Sequence, residues 1–379
     1  MLTLNETEEE QRFRAQMRAW AEEHIPEHLR WREDFDSLQE IDRILAAHGL
    51  LAVSWPAEYG GRALSPTLEL ILTEELGRVG VQKAKSPSHS GINNLGPALI
   101  AHASPEQLAF FLPKILAMEI KWCQGFSEPE AGSDLASLRT TARLDGDHWV
   151  VNGSKIWTSG AQHANWIYAL VRTGTPEQRH RGITFLVFEM GSEGITFRPI
   201  EQITGGSDFC EVFFDDVLVP KANVIGEVGG GWPVAMTLLA SERLSGRHRY
   251  NSFRRQYEAL AASLAGESDA HDLHRELGRA IAEVEGMAAL GRRVESLREA
   301  GGDLGALPQV NKLWWPVAHQ RLTELGWKVS TARRTDPSDW YFDWLAARPE
   351  SIYGGSAQIQ RNIISERFLG LPRAPRPST

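Results

Sequence analysis

Cysteine is nearly missing from these 379 residues; Cys123 and Cys210 are the only two. Two thiols cannot build a disulfide framework, which excludes the small bridged scaffolds of secreted proteins and makes a reducing, cytoplasmic location the expectation. Apolar runs are short. None approaches the ~20 residues that a membrane-spanning helix needs, so no membrane insertion is expected. The first residues are acidic and lack a basic segment leading into an apolar one, so no secretory leader is expected. Positive charge is also in deficit: 40 Lys and Arg against 49 Asp and Glu leave a formal charge of −9. That balance argues against nucleic acid as a main partner. A G-x-G-x-x-G after a strand is missing too. GEVGGG at 226–231 has the wrong spacing and reads as a turn, so a nicotinamide Rossmann unit lacks support. His24 and His28 stand four apart, but Pro26 lies between them and no third ligand is near, so no metal site is expected.

What is present is ordinary globular composition, 42% hydrophobic and 23% charged, in a chain too long for one core. Thr7-x-x-Glu10 reads as a capping box that opens a helix, with Phe13, Met17 and Trp20 at helical spacing behind it and Pro26 as its stop. Ile41, Ile44 and Leu45 continue the pattern to Gly49, and Leu68, Leu72 and Leu76 mark another stripe. Near residue 120 the period changes. Arg143 to Asn152 reads as strand, Asp145–Gly146 turn, strand, and 166–172, 183–189 and 211–220 are further runs of aromatic and β-branched residues. From Trp232 the helical period returns, with Leu273, Leu277, Ile281, Val284, Ala288 and Val294 on one stripe. The predicted class is therefore α+β. It has a helical domain over 1–118, a small antiparallel barrel or sandwich over 119–230, and a helical bundle over 231–379 with a flexible tail from about 373.

Three motifs stand on this frame in order: FSEPEAGSDLAS at 126–137, WTSGA at 157–161 and YGGSAQIQRNI at 353–363. With the α–β–α order, they make nearly the whole chain resemble the acyl-CoA dehydrogenase family. The resemblance implies a non-covalently held FAD and α,β-dehydrogenation of an acyl-CoA thioester. Carried across position by position, it places Phe126, Ser127, Gly132, Ser133, Trp157, Thr158, Ser159, Ser356 and Gln358 at the cofactor. Ser133, Arg243 and Gly355 are placed at the substrate. Hydroxyls and backbone amides suit the polar edge of the flavin ring, and Trp157 offers an apolar face. Gly132 would let the backbone come close to a ligand.

One departure matters. The carboxylate that many relatives carry in the third motif is Gly354 here. Its backbone N–H would still serve as a donor to the developing enolate oxygen, but the base must come from elsewhere. Some members place the base just before an arginine on the helix that opens the last domain, and in LLASERLSGRHR that pair is Glu242-Arg243. Glu242 is thus the expected base, against the plain reading of a helix-surface Glu paired with its neighbour. Glu366 is the weaker candidate. Arg247, Arg249, Arg254 and Arg255 could meet CoA phosphates or a partner subunit, or simply line a solvated helix face, and Trp314-Trp315-Pro316 could shape an acyl pocket or only pack.

Family homotetramers carry an Arg-x-x-Phe-Gly element, a downstream Gln and a Gly-Gly-x-Gly turn that reach the neighbouring flavin. None is evident here; YNSFRRQYEALAASL and LGWKVSTARRTD stand in those regions. The chain resembles the type that pairs with a second, related subunit in an α2β2 assembly acting on steroid side-chain CoA esters; a homotetramer with a divergent adenine end is the alternative. Electron-transferring flavoprotein is the expected acceptor. An acyl-carrier-protein dehydrogenase, a flavin oxidase or a purely structural subunit are the other functions this scaffold carries.

Overall fold

Thr7 opens the first helix as its sequence predicts: the Glu10 N–H donates to the Thr7 hydroxyl at 3.2 Å and the Thr7 N–H donates to the Glu10 carboxylate at 2.7 Å. The structure, a computed structural model, describes residues 6–244, 249–266, 270–336 and 338–373, with backbone alone at 84 and 242–244. The tail beyond 373 and Arg247 lie outside the described residues. Five helices come first: α1 (Glu8–His24), α2 (Phe35–Ala47), α3 (Pro66–Arg78), α4 (Gly96–His102) and α5 (Pro105–Leu116). Strands β1 (Trp122–Gly125), β2 (Thr141–Asp145), β3 (His148–Ser159), β4 (Trp166–Arg172), β5 (Ile183–Glu189), β6 (Ile195–Ile200), β7 (Phe209–Pro220) and β8 (Val224–Ile225) follow. Helices α6 (Gly231–Leu244), α7 (Tyr250–Leu264), α8 (His271–Glu299), α9 (Leu307–Arg333), α10 (Ser338–Ala346) and α11 (Ala357–Ile363) complete the described chain. No helix among the described residues is long and apolar enough to cross a membrane.

Contacts divide these elements into two units. The helical unit comprises the described residues within Met1–Glu33, Leu64–Ala84 and Arg243–Thr379. Its core is Phe253, Tyr257, Leu277, Val284, Leu322 and Val329, supplied by the one apolar stripe that each of α7, α8 and α9 carries. Buried Glu75 of α3 accepts ion pairs from Arg14 and Arg18 of α1 and from Arg78 of its own helix. The sheet unit comprises Asp34–Ala63 and Lys85–Glu242. Its strands run in the order β6-β7-β3-β2-β4-β5-β8, with β1 on β4.

The predicted antiparallel sheet holds for most pairs. β1 pairs with β4 in parallel, and Thr141 of β2 meets Arg172 of β4 in parallel. The reason is chain path. After β1 the chain leaves for the 126–140 excursion and the β2–β3 hairpin, and it re-enters at β4 in its first direction. The hairpin turn also sits one residue later than predicted: Asp145 pairs with His148, so Gly146 (φ +59°) and Asp147 make the turn. Strands β1, β6 and β8 were not predicted; each is short, and β6 is an edge strand with little burial to pattern its sequence. Ile167, Ala169, Val171, Phe188, Val212 and Val217 fill the sheet core beside the free thiols of Cys123 and Cys210.

Candidate active site

The first two motifs converge within the sheet unit. Phe126 and Ser127 follow β1, and the Ile156 N–H of β3 donates to the Ser127 carbonyl at 2.9 Å, laying the two motifs side by side. Phe126 turns inward. Its ring lies 5.9 Å from that of Tyr168 and 6.1 Å from that of Phe185, so only its backbone is offered to a ligand. Glu128 and Ala131 exchange backbone hydrogen bonds at 3.0 Å around Pro129 and Glu130, and this tight turn leaves Gly132 and Ser133 exposed beyond it. A Cβ added at Gly132 would meet nothing within 4 Å, so the predicted close approach of backbone to a ligand is not crowded by this chain's own atoms.

The end of β3 breaks its alternation. Lys155 faces Val212 of β7, but the next paired residue, Thr158, faces Cys210, so β3 carries an extra residue there. Trp157 takes up the difference at φ +61°, a left-handed conformation uncommon for a bulky residue, and keeps 56% of its surface exposed. Ser159 is exposed beside it, while the Thr158 hydroxyl is buried with no hydrogen-bond partner among the described residues. An orphaned buried hydroxyl, an outward aromatic face and exposed serines suit a planar heteroaromatic group with a polar edge. The residues present therefore fit a flavin.

Two charged residues behind this surface were not predicted. Lys155 is fully buried, and its Nζ donates to the Glu128 carboxylate at 2.7 Å and to the Phe126 carbonyl at 3.2 Å. Burial dominates Lys155 and, despite Glu128, pulls its pKa down to about 8. For Glu128 burial again is the largest influence and opposes ionisation. Lys155 and the Arg139 N–H together outweigh it, and the carboxyl is held below its usual range. A signal existed: Trp149, Val151 and Lys155 share the inward parity of β3, and an inward lysine demands a buried partner.

In the helical unit the third motif forms a turn. Gly354 and Gly355 adopt φ +63° and +93°, conformations glycine takes readily. Ser356 caps α11 by accepting from the Ile359 N–H at 3.3 Å, which engages one lone pair of its hydroxyl and leaves the O–H to donate. Gln358 is exposed, whereas Gln360, not predicted, is fully buried against the turn and donates to the Gly355 carbonyl at 3.4 Å. Just before the turn, buried Glu350 receives His319 Nδ1 at 2.9 Å and lies 3.7 Å from Arg249, which stacks 4.1 Å over Trp315. Trp315 is thus buried under a cation. Arg254 pairs with Glu258 and Arg255 covers Trp31. Glu366 pairs with Arg373 at 3.1 Å. Glu242 and Arg243 occupy the last turn of α6, and their side chains lie outside the described residues.

Comparison with known proteins covers nearly the whole chain. The N-terminal, middle and C-terminal domains of acyl-CoA dehydrogenases match residues 7–119, 123–217 and 229–369. Acyl-CoA dehydrogenase IpdE1 of Mycolicibacterium smegmatis is 37% identical across 96% of this chain and 98% of its own, and IpdE1 of Mycobacterium tuberculosis is 38% identical across 95% and 97%. Among solved structures, the Tcur3481-Tcur3483 steroid ACAD superposes with a TM-score of 0.88 at 28% identity, covering 98% of this chain and 100% of that one. The ChsE4-ChsE5 complex from Mycobacterium tuberculosis gives 0.83 at 30% identity over the same shares.

Proposed function

We propose, from the premise that the chain belongs to the acyl-CoA dehydrogenase family, that it is one subunit of a heteromeric FAD-dependent enzyme. The enzyme would introduce a double bond beside the thioester of a bulky acyl-CoA such as a steroid side-chain ester. The observation that carries this is likeness, over 98% of the chain, to the Tcur3481-Tcur3483 steroid ACAD and to the ChsE4-ChsE5 complex. The family's glycine-turn region supports the heteromer: α9 runs unbroken through Gly326 to Arg333, so this chain has no glycine turn there to lend a neighbour.

FAD, when bound, supplies the two-electron acceptor for the β-hydrogen. Phe126 by its backbone, with Ser127, Gly132, Ser133, Trp157, Thr158, Ser159, Ser356 and Gln358, would hold it. Glu242 takes the α-proton, and Arg243 and Ser133 orient the substrate. The Gly354 N–H donates to the thioester oxygen as negative charge gathers there, and Gly355 keeps the turn close to it. The second subunit would supply a cation to the FAD pyrophosphate in place of the Arg-x-x-Phe-Gly element that is not evident in this sequence. Electron-transferring flavoprotein would be the acceptor for electrons taken up by the bound FAD.

The test is Glu242→Gln in the complex co-purified with its dehydrogenase-like partner. Turnover should fall by about 10²–10⁴-fold with flavin content unchanged. A silent substitution would leave this chain a structural role only. The heteromer is tested separately: stoichiometric flavin in the chain purified alone would count against it.

A further inference from the structure

Lys155 and Glu128 are not among the residues read as holding the cofactor, yet beyond their own ion pair their hydrogen bonds land on backbone that frames the candidate flavin surface. The ammonium reaches the Phe126 carbonyl. The carboxylate accepts from the Arg139 N–H at 2.5 Å and the Thr140 N–H at 2.9 Å. Thr140 in turn donates its hydroxyl to the Ser154 carbonyl at 3.1 Å, next to Lys155 in the chain. Three separate backbone segments therefore meet at one buried ion pair.

We propose that Lys155 and Glu128 are positioning residues for the cofactor: the pair locks the 126–128 loop, the 139–140 backbone and the bulged end of β3 into the arrangement that turns Trp157 outward beside Ser159. This rests on the reading of those residues as a flavin surface. Stability alone explains the pair poorly, because replacing a buried ion pair by apolar groups of like volume is often neutral or stabilising. Location points to geometry instead. Lys155 is the last residue of β3 in register before the extra residue, and an aromatic at φ +61° persists only where its surroundings over-determine it. On the other side of Lys155, Gly153 sits at φ +140°, and a Cβ there would fall 2.7 Å from Thr140. The bulge is thus held from both sides of the lysine.

The experiment uses the full chain carrying Lys155→Met together with Glu128→Gln, which removes both charges at nearly constant volume. Lys155→Met alone would strand a buried carboxylate and is expected to fold poorly. Amide exchange is measured on the chain, and FAD is titrated into the chain and into its co-purified complex. Exchange should rise at least tenfold in peptides covering Phe126–Ala131 and Ile156–Ser159, with β4 and β5 unchanged. FAD affinity should drop at least tenfold with an altered visible flavin spectrum. Wild-type exchange in both segments, an increase spread evenly over the sheet, or local loosening with unchanged FAD affinity would each overturn the proposal. Should the wild-type chain and complex both refuse FAD, the functional reading fails together with the cofactor role, while the exchange measurement still decides whether the pair fixes the loop.

Discussion

The sheet unit and the helical unit each carry residues that the proposed function uses, and they hold them differently. In the sheet unit the first two motifs fall between residues 126 and 159, joined by strand hydrogen bonds and one ion pair whose partners are 27 residues apart. In the helical unit the glycine turn at 354–355 depends on distant chain: Lys312 of α9 donates to the Glu350 carbonyl at 2.8 Å and Gln320 donates to the Ala347 carbonyl at 2.9 Å. A site built on a ladder is fixed by backbone geometry and tolerates side-chain change nearby. A site built on a turn between helices is only as well placed as the packing behind it.

The largest test of that difference is core truncation. Phe188→Ala in the sheet should cost about 3–5 kcal/mol and Leu322→Ala in α9 about 2–5 kcal/mol, both residues being fully or almost fully buried. Calorimetry then reports whether each variant lowers its own transition. One shared transition moving with both would break the comparison. Acid and alkali sharpen it. Glu75 is opposed by burial but held below its usual range by Arg18 and Arg14, and Glu128 is also depressed. Carboxyls with lowered folded-state pKa values contribute stability above their unfolded value and lose it as pH falls through the folded one. Both units should therefore weaken in acid. Lys155 adds a change of the same sign at higher pH: with a folded value near 8 against 10.5, the unfolded chain binds the extra proton, so stability rises between those pH values. Urea midpoints across pH 8–10.5 should climb for the wild type relative to the Lys155→Met/Glu128→Gln variant, and a flat difference would refute the assignment. The smallest effects form a pair. Trp157→Gly relieves a left-handed tryptophan and should raise stability by about 1 kcal/mol while weakening FAD binding. Ser356→Ala removes the α11 cap and should lower it by about 1 kcal/mol. Thermal melts read both.

Features resting on neighbours in sequence were legible beforehand. The Thr7–Glu10 capping box, the β2–β3 hairpin and the stripe on α8 need only local spacing to be recognised. Which helices share a core was not legible. A stripe such as Leu68, Leu72 and Leu76 says that one face of α3 is buried, but it does not say what covers it. In the structure α1 and α3 join α7, α8 and α9, while α2, α4 and α5 belong with the sheet. Gln360 was passed over for Gln358 for the same reason: two glutamines two apart differ in burial only once the turn is placed.

Residue order alone determined the family frame, the α–β–α succession and the absence of a carboxylate at position 354, because each is a matter of which residue stands where. Tertiary structure decided that Lys155 is buried against Glu128, that Trp157 is forced outward, and that Ser356 is engaged as a cap. Those outcomes depend on register, bulge and burial, which arise only when strands and helices from distant parts of the chain compete for the same space.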